Sequence, residues 1–484
     1  MAPSLGKKVV KGGIWVFTLR GTQRLFSFVR LIILARILAP ADFGLMGIAL
    51  LTMAALNTFS QTGFQTALIQ KKEDIKSYLD AAWTVTIIRG IILFLILYFI
   101  APYAATFFKS PKALSIIKVI GFSFLIQAFT NIGVVYFQKE LEFNKQFIYQ
   151  FTGTIADFVV AVSAAVILRN VWALVYGLLA GNAARLIVSY LIHPYRPHLS
   201  FDFGKAKELF GFGKWILGSS ILIFLITQGD DAFVGKFLGA TILGFYQMAY
   251  RISNMPATEI THVISQVTLP AYSKLQDDIP RLRDAYLRIL GITTFFSIPI
   301  AGMIFVLAPD FTRLFLGQKW MPAVSAMQVL CIFGVTRSFG ATTGPIFQGV
   351  GKPSILTKLA VIQLVMLIAI IYPLTNKFGI FGTAIAVIIP NLITQAIAAI
   401  QVLNIIKCNA VKFIKLLLFP LFSTSIIVLL IAVFTNIYDN VAMGSFFVMI
   451  LFGVVGYLAI SYLSGRKLGY NIMKILPQLL RQSR

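Results

Sequence analysis

Along most of the chain, apolar residues come in blocks of twenty or more. These blocks show neither the two-residue alternation of a half-buried strand nor the broad polar face of a surface helix. A helix needs about 20 mainly apolar residues to cross the hydrocarbon core of a bilayer. Fourteen blocks reach that length, at approximately 13–37, 43–69, 79–104, 113–137, 147–168, 171–192, 214–238, 241–270, 285–308, 321–349, 355–375, 379–405, 412–435 and 441–463. The pattern predicts an all-α, polytopic integral membrane protein of about 14 transmembrane helices, with almost nothing left over for a soluble domain.

The connections support this reading. Longer basic loops (Lys71 to Asp80, Gln138 to Gln146, Pro194 to Lys214, Ser273 to Asp284, Gly351 to Lys358, Ile406 to Lys415) alternate with short neutral ones such as Leu38 to Asp42, Gly239 to Ala240 and Asn436 to Asn440. Lys and Arg collect on the cytoplasmic side of membrane proteins, so this alternation places both termini in the cytoplasm and requires an even number of spans. The basic N-terminal stretch leads into a block that carries Arg20, Arg24 and Arg30. A cleaved signal peptide needs an uninterrupted apolar core, so the block is expected to be a retained first span.

Composition agrees. The chain is 58% hydrophobic and 12% charged, with a mean hydropathy of +0.85, against roughly 45–50% and 25% in soluble domains. The 42 basic residues outnumber 17 acids, for a formal charge of +25. In a soluble protein this would suggest nucleic acid. Here most of it lies in the longer loops and termini, where it sets orientation against membrane lipids, and no nucleic-acid partner is expected. Cys331 and Cys408 form neither a disulfide framework nor a metal-ligand spacing. No metal or cofactor is expected.

A faint repeat runs at an offset of 200. Gly13, Trp15, Leu25, Leu38, Gly44 and Ala49 recur as Gly213, Trp215, Leu225, Leu238, Gly244 and Ala249, and Arg36 becomes Lys236. Ala101-Pro102 and Phe137-Gln138 are echoed by Ala308-Pro309 and Phe347-Gln348. The repeat predicts two six-helix lobes in parallel pseudo-repeat, residues 1–200 and 201–406. Residues 407–484 would add two C-terminal helices and a basic tail. In transporters built this way the substrate site lies between the halves.

Ionisable side chains within spans are costly and are functional candidates by default. At 100° per residue, Arg20, Gln23, Arg24, Ser27 and Arg30 share an arc of about 120° on the first span. Arg20 and Arg30 are placed to snorkel toward opposite headgroup layers, whereas Arg24 sits near the midplane. On the eighth span Gln247, Arg251, Asn254, Thr258, His262 and Ser265 share an arc of about 80°, with Pro256 loosening the helix beside them. Arg89 and Arg337 are further midplane cations, and Arg185 lies nearer the cytoplasmic end. The anions in spans are Asp157, Asp230, Asp231 and Glu259, candidates for ion coupling or for charge pairing with the arginines. In the repeat register Arg30 overlays Asp230, which would pair them where the halves meet. Arg20, Arg24, Arg30, Arg89, Arg251 and Arg337 are therefore the candidate substrate-binding set. Guanidinium forks match phosphate oxygens bidentately and stay charged, so the expected substrate is an anion, best a phosphate or pyrophosphate carried on a lipid.

Enzyme signatures are missing. Gln348-Gly349-Val350-Gly351-Lys352-Pro353 only partly resembles a phosphate-binding loop, with Pro353 where a Ser or Thr would hold Mg²⁺. No loop exceeds about 20 residues, too little to bind sugars outside the membrane as an enzyme on lipid-linked sugars would. The chain is not expected to be an enzyme.

Three strings carry a family resemblance: Ala35-Arg36-Ile37-Leu38-Ala39-Pro40-Ala41-Asp42-Phe43-Gly44, then Phe59-Ser60-Gln61-Thr62-Gly63-Phe64-Gln65-Thr66-Ala67-Leu68-Ile69-Gln70-Lys71, and Phe137-Gln138-Lys139-Glu140-Leu141-Glu142-Phe143. They resemble the helix ends of the bacterial polysaccharide transporter family, the Wzx-type flippases. That family belongs to the superfamily that also holds the multidrug MATE exporters and the lipid II flippase. The flavour is similar to the colanic acid and teichuronic acid exporters. The resemblance implies a flippase that moves an undecaprenyl-pyrophosphate-linked oligosaccharide across the bacterial cytoplasmic membrane by alternating access, for cell-surface polysaccharide synthesis. Its partners would be the lipid-linked anionic oligosaccharide and a polymerase or glycosyltransferases of the same pathway. A drug or small-anion exporter of the superfamily is the alternative, and nine basic residues against four acidic ones in spans disfavour an exporter of organic cations. Arg36 and Asp42, inside the first string, are expected to pair structurally.

Overall fold

The computed structural model describes residues 5–60, 76–140, 142–202, 213–437 and 442–468. Within these helices the side chains of 5–17, 20, 76–77, 213–217, 219, 256–267 and 464–468 fall outside the description. The elements in chain order are α1 (Leu5–Ile37), α2 (Pro40–Phe59), α3 (Lys76–Phe107), α4 (Ala113–Ile120), α5 (Phe122–Ala128), a 3-10 turn (Ile132–Val134), α6 (Val135–Lys139), α7 (Phe143–Leu168), α8 (Trp172–Ile192), α9 (Gly213–Phe237), α10 (Ala240–Lys274), α11 (Ile279–Phe311), α12 (Val324–Gly349), α13 (Ser354–Ile405), α14 (Ala410–Ile437) and α15 (Met443–Leu468). Among the described residues there is no strand.

Hydrocarbon offers no hydrogen-bonding partner, so the backbone must satisfy itself, and helices do so segment by segment. Nine helices among the described residues are long and apolar enough to cross a membrane, or ten if a bent pair, Ala113–Ala128 with Ile132–Lys139 at 73°, is one span. Hydroxyls inside the helices turn back onto their own backbone, as in Thr52 to Ile48 O (2.9 Å), Thr86 to Ala82 O (2.8 Å) and Thr293 to Ile289 O (2.9 Å).

Helix α13, at 52 residues, contains two of the expected blocks. Gly379 lies at φ 59°, ψ −138°, outside helical space, and a Cβ at Gly382 would collide with the carbonyl of Leu374. In a straight helix Thr375 and Thr383 would be about 12 Å apart along the axis, yet their hydroxyls meet at 2.9 Å. The chain therefore reverses at Gly379, and this nominal helix is a hairpin of two.

The chain divides into two compact units, Met1–Gly244 and Phe245–Arg484. In the first, α7 and α8 form a tight hairpin through Arg169, held in the left-handed region at φ 48°. Gly177 and Gly181, four residues apart, let the backbones approach. A Cβ at Gly177 would sit 2.6 Å from that of Ala161, and one at Gly181 would sit 2.8 Å from Gly153 O. This small-residue packing is the membrane substitute for the hydrophobic effect, since lipid is as apolar as the side chains. Helix α1 lies on α7, with Phe26 edge-on to Phe151 and Phe158, both at 5.5 Å.

The Ala39–Gly44 string closes its own helix end. The Asp42 carboxylate accepts the Ala39 N–H at 2.9 Å and so satisfies a backbone donor at the start of α2. Asp42 thus serves its own helix end. The first turn of α10, also in this unit, crosses α2. A Cβ at Gly44 would strike the Ala240 carbonyl, and one at Gly244 the Pro40 carbonyl. These are repeat-related positions facing each other reciprocally, so the two turns meet about a local two-fold. The Phe59–Lys71 string lies mostly outside the described residues.

The segment following α8 is pinned to the ends of α3 and α6. Tyr195 Oη and the His198 N–H both donate to Asp80 Oδ1, at 2.7 and 2.8 Å. Ser200 N–H donates to Thr84 Oγ1 (2.8 Å), and Asn131 Nδ2 donates to Tyr195 O (2.7 Å). Burial, then the Asp80 carboxylate, push the Tyr195 phenol well above its ordinary range, so it remains a donor. His193 stacks on Tyr136 with rings parallel at 5.7 Å, and its Nδ1 accepts the Tyr195 N–H at 3.1 Å. Burial and then the nearby Lys145 lower the His193 pKa, with Glu142 opposing and Arg196 assisting. The imidazole is neutral, as an accepting Nδ1 requires.

In the second unit, Tyr272, Leu282, Tyr286, Phe347, Leu359 and Val402 form one core cluster. A second joins α14 and α15 to α11 through Phe295, Ile427, Ile431, Phe446 and Tyr457, with Tyr457 Oη donating to Phe295 O at 2.9 Å.

Two outcomes follow. Gly244→Val should lower thermal stability in detergent by about 1–3 kcal/mol through overpacking at the α2 crossing, with Gly218→Val, which has open space around it, as the control. For His193, a folded pKa below the unfolded value means that the unfolded chain binds more protons between the two. Stability is therefore full above about pH 6.5 and falls as pH drops toward the folded pKa. Melting curves from pH 7.5 to 5.5 should show this loss, and His193→Gln should flatten it.

Candidate functional site

The polar arc of α1 is split by its packing. Phe26 and Arg30 lie on the edge that meets α7, whereas Arg24, at the other edge of the arc, is exposed, with Gln23 and Ser27 half-buried between. Arg30 Nη2 donates to Asp157 Oδ1 at 3.0 Å, in an ion pair whose side chains retain 18% and 25% exposure. The carboxylate that Arg30 meets is therefore on α7, not the Asp230 of the repeat register. Asp157 is the fifteenth of 26 residues in α7, so it lies near the middle of the span.

Arg185, on α8, completes this cluster. It donates Nε to Gly181 O at 3.2 Å and fits against Gly153, whose added Cβ would sit 2.5 Å from that Nε. Asp157 and Arg185 flank Gly181, their nearest atoms 3.0 and 3.5 Å from where its Cβ would be. Two guanidiniums and one carboxylate thus converge on the glycine seam between α7 and α8. The carboxylate satisfies one donor of Arg30. Its Nε is buried with no hydrogen-bond partner, an unspent donor in a place where donors are expensive.

The other predicted residues lie elsewhere. Arg89 is committed to the C-terminal end of α2. It donates Nε to Ser60 O (2.9 Å) and Nη2 to Asn57 O (3.2 Å), Asn57 Oδ1 (2.6 Å) and Ser60 Oγ (2.8 Å). A cation on the last carbonyls of a helix complements both the orphan acceptors and the dipole. In the second unit, Arg337 donates to Tyr250 Oη at 3.2 Å and lies 5.9 Å from the Phe333 ring, while Arg251 is exposed on α10. Asn254 is buried and donates to Tyr250 O at 3.1 Å. On α9, Asp230 is buried and Asp231 half-buried. The side chains of Arg20 and Glu259, and those of Thr258, His262 and Ser265, lie outside the described residues.

Sequence reasoning missed two members. Tyr250 reads as one more aromatic in an apolar helix, and only its place beside Arg251 hints at a polar role. Arg185, near a span end, reads as readily as a snorkelling residue as a functional one. A groove of about 470 Å³ in the second unit, bordered by Ile298, Phe305, Cys331, Val335, Thr424 and Leu429, is lined wholly by uncharged residues. It offers no charge with which to hold an anion.

Long apolar helices with a sparse set of intramembrane arginines define a multi-pass membrane protein, and its fold is a known one. The lipid II flippase MurJ, in an inward closed conformation, superposes with a TM-score of 0.72 at 16% identity, covering 95% of this chain and 99% of that one. The family described as polysaccharide biosynthesis protein matches residues 33–325, and the chain belongs to that family. The lipopolysaccharide biosynthesis protein WzxC of Escherichia coli is 25% identical over 397 residues, 82% of this chain and 81% of that protein. A membrane protein encoded in the cps region of Klebsiella pneumoniae is 25% identical over 99% of this chain and 100% of its own length.

Arg89→Ala should lower the melting temperature of the purified protein, at a cost of about 1–3 kcal/mol from orphaned acceptors on α2. Export per folded molecule should stay near wild type, as quantitative blotting against polymer yield will show. Loss of export with unchanged stability would place Arg89 in the transport path instead.

Proposed function

We propose that this protein is a flippase that carries a lipid-linked oligosaccharide across the bacterial cytoplasmic membrane for cell-surface polysaccharide synthesis. The observation that carries the reading is the charged cluster of the first unit, Arg30 on α1 and Arg185 on α8 with Asp157 on α7, set in helices with few other charges, with Arg24 exposed at the other edge of the α1 arc. Family membership and the fold shared with a lipid II flippase support it.

A pyrophosphate linking sugar to prenyl carrier cannot cross hydrocarbon unaided, because burying an ionised group costs many kcal/mol unless it is paired. Arginines supply charge and forked donors that remain protonated, replacing water around the phosphate oxygens. The prenyl chain needs no protein polar group and stays in apolar surroundings. Alternating exposure of the headgroup site to the two sides then moves the sugar without breaking a covalent bond, which assigns the chain to transport and not to catalysis. Arg251 and Arg337 are a second cationic station, on the other unit. Direction is supplied from outside, by membrane potential, an ion gradient or removal of product at the far face. Both termini are assigned to the cytoplasm by the excess of Lys and Arg in the longer loops.

Arg24→Ala, Arg30→Ala and Arg251→Ala should each reduce surface polymer at least about tenfold, the effect of roughly 1.4 kcal/mol of lost headgroup binding, with unchanged protein in the membrane fraction. Surface polysaccharide and tagged protein are measured in the same cells. Wild-type export from all three would remove the headgroup site.

A further inference from the structure

We propose that Asp157 is an internal surrogate for the transported anion: it occupies Arg30 while the site is empty and yields it to a phosphate oxygen of the arriving headgroup. This rests on the headgroup reading above and adds to it a residue that sets affinity and release.

Three observations support the inference. The Arg30–Asp157 contact is a single hydrogen bond, Nη2 to Oδ1 at 3.0 Å, where a guanidinium and a carboxylate can make two in parallel. Arg30 Nε is buried and donates to nothing, so the carboxylate stabilises the cation without saturating it. Both side chains keep a fifth to a quarter of their surface accessible, so a ligand can reach the pair.

The seating of Asp157 also fits a counter-charge held in place. Its carboxylate lies against the glycine seam, with Oδ1 2.7 Å from where a Cβ of Gly177 would be. Any side chain at Gly177 would displace it. Arg185 also lies against Gly181, its Nη2 3.5 Å from where a Cβ would be, so a second cation lies on the same glycine seam as the Asp157 side chain.

The exchange is electrostatically economical. In the empty protein two guanidiniums in hydrocarbon would repel and draw in water, and one carboxylate removes much of that cost. An arriving pyrophosphate offers more charge and more acceptors than one carboxylate oxygen, including an acceptor for the idle Nε. Asp157 then faces an anion across Arg30, and this like-charge repulsion favours release. A site with arginines alone would bind more tightly and let go more slowly.

The test is calorimetric titration of the full-length protein in nanodiscs, with inorganic pyrophosphate in one arm and a prenyl pyrophosphate in the other. If Asp157 ties up Arg30 for nine-tenths of the time, Asp157→Asn should bind about tenfold more tightly, since apparent affinity scales with the competent fraction. Its export per molecule should fall because release slows. Arg30→Gln should weaken binding, and adding Asp157→Asn to it should restore nothing. Tightening in both arms supports the surrogate acting on the anion itself. Tightening with prenyl pyrophosphate alone supports it and identifies the lipid-borne headgroup as the source. Unchanged or weaker binding by Asp157→Asn in both arms, with Arg30→Gln still impaired, overturns the surrogate and leaves the headgroup site standing. If Arg30→Gln binds like wild type, the surrogate fails, because Arg30 then holds no phosphate, while the headgroup site stands or falls on Arg24 and Arg251. Should Asp157→Asn not elute as a single folded species, Asp157→Ser, smaller and also neutral, carries the same test.

Discussion

Hydrocarbon does not hydrogen-bond, and that constraint organises the molecule. Backbone groups are satisfied within helices, hydroxyls fold back on the preceding turn, and the charges inside the spans are few. Arg89 resolves its cost on the orphan carbonyls of α2. Arg30 resolves only part of it, through one oxygen of Asp157. The difference between a settled and an unsettled guanidinium is what separates a structural arginine from a candidate ligand in this protein, because all of them look alike as letters in an apolar block.

Because lipid solvates apolar side chains as well as protein does, packing has to come from close approach. The α7–α8 hairpin and the α2–α10 crossing both depend on glycines whose Cβ atoms would collide with backbone or side chain. The first of these seams also seats the ion pair. Asp157 lies where Gly177 and Gly181 leave room, and Arg185 lies over Gly153. Structure and function are coupled there: the same absent side chains that let two helices touch create the shelf on which the charges meet.

Outside the helices the constraint relaxes and water-soluble chemistry returns. The segment after α8 is held by directed hydrogen bonds to Asp80, Thr84 and Asn131, and by a neutral, stacked His193. It is the one described connection bound by so many polar contacts. It ties α8 back to the ends of α3 and α6 before the chain continues to α9.

The sequence alone determined the helical, membrane-spanning character, because period and hydropathy are local properties. The break before Gly379 was legible as a short polar interruption, and the backbone angle there makes it a reversal. The reciprocal Gly44 and Gly244 positions were visible as an offset repeat. What tertiary structure decided was the fate of each charge. Whether an arginine binds a helix end, a tyrosine or a carboxylate depends on what a neighbouring helix places within about 3 Å of it, and no spacing within one helix encodes that. Arg30 and Asp157 are 127 residues apart, and only the packing of α1 on α7 makes them a pair.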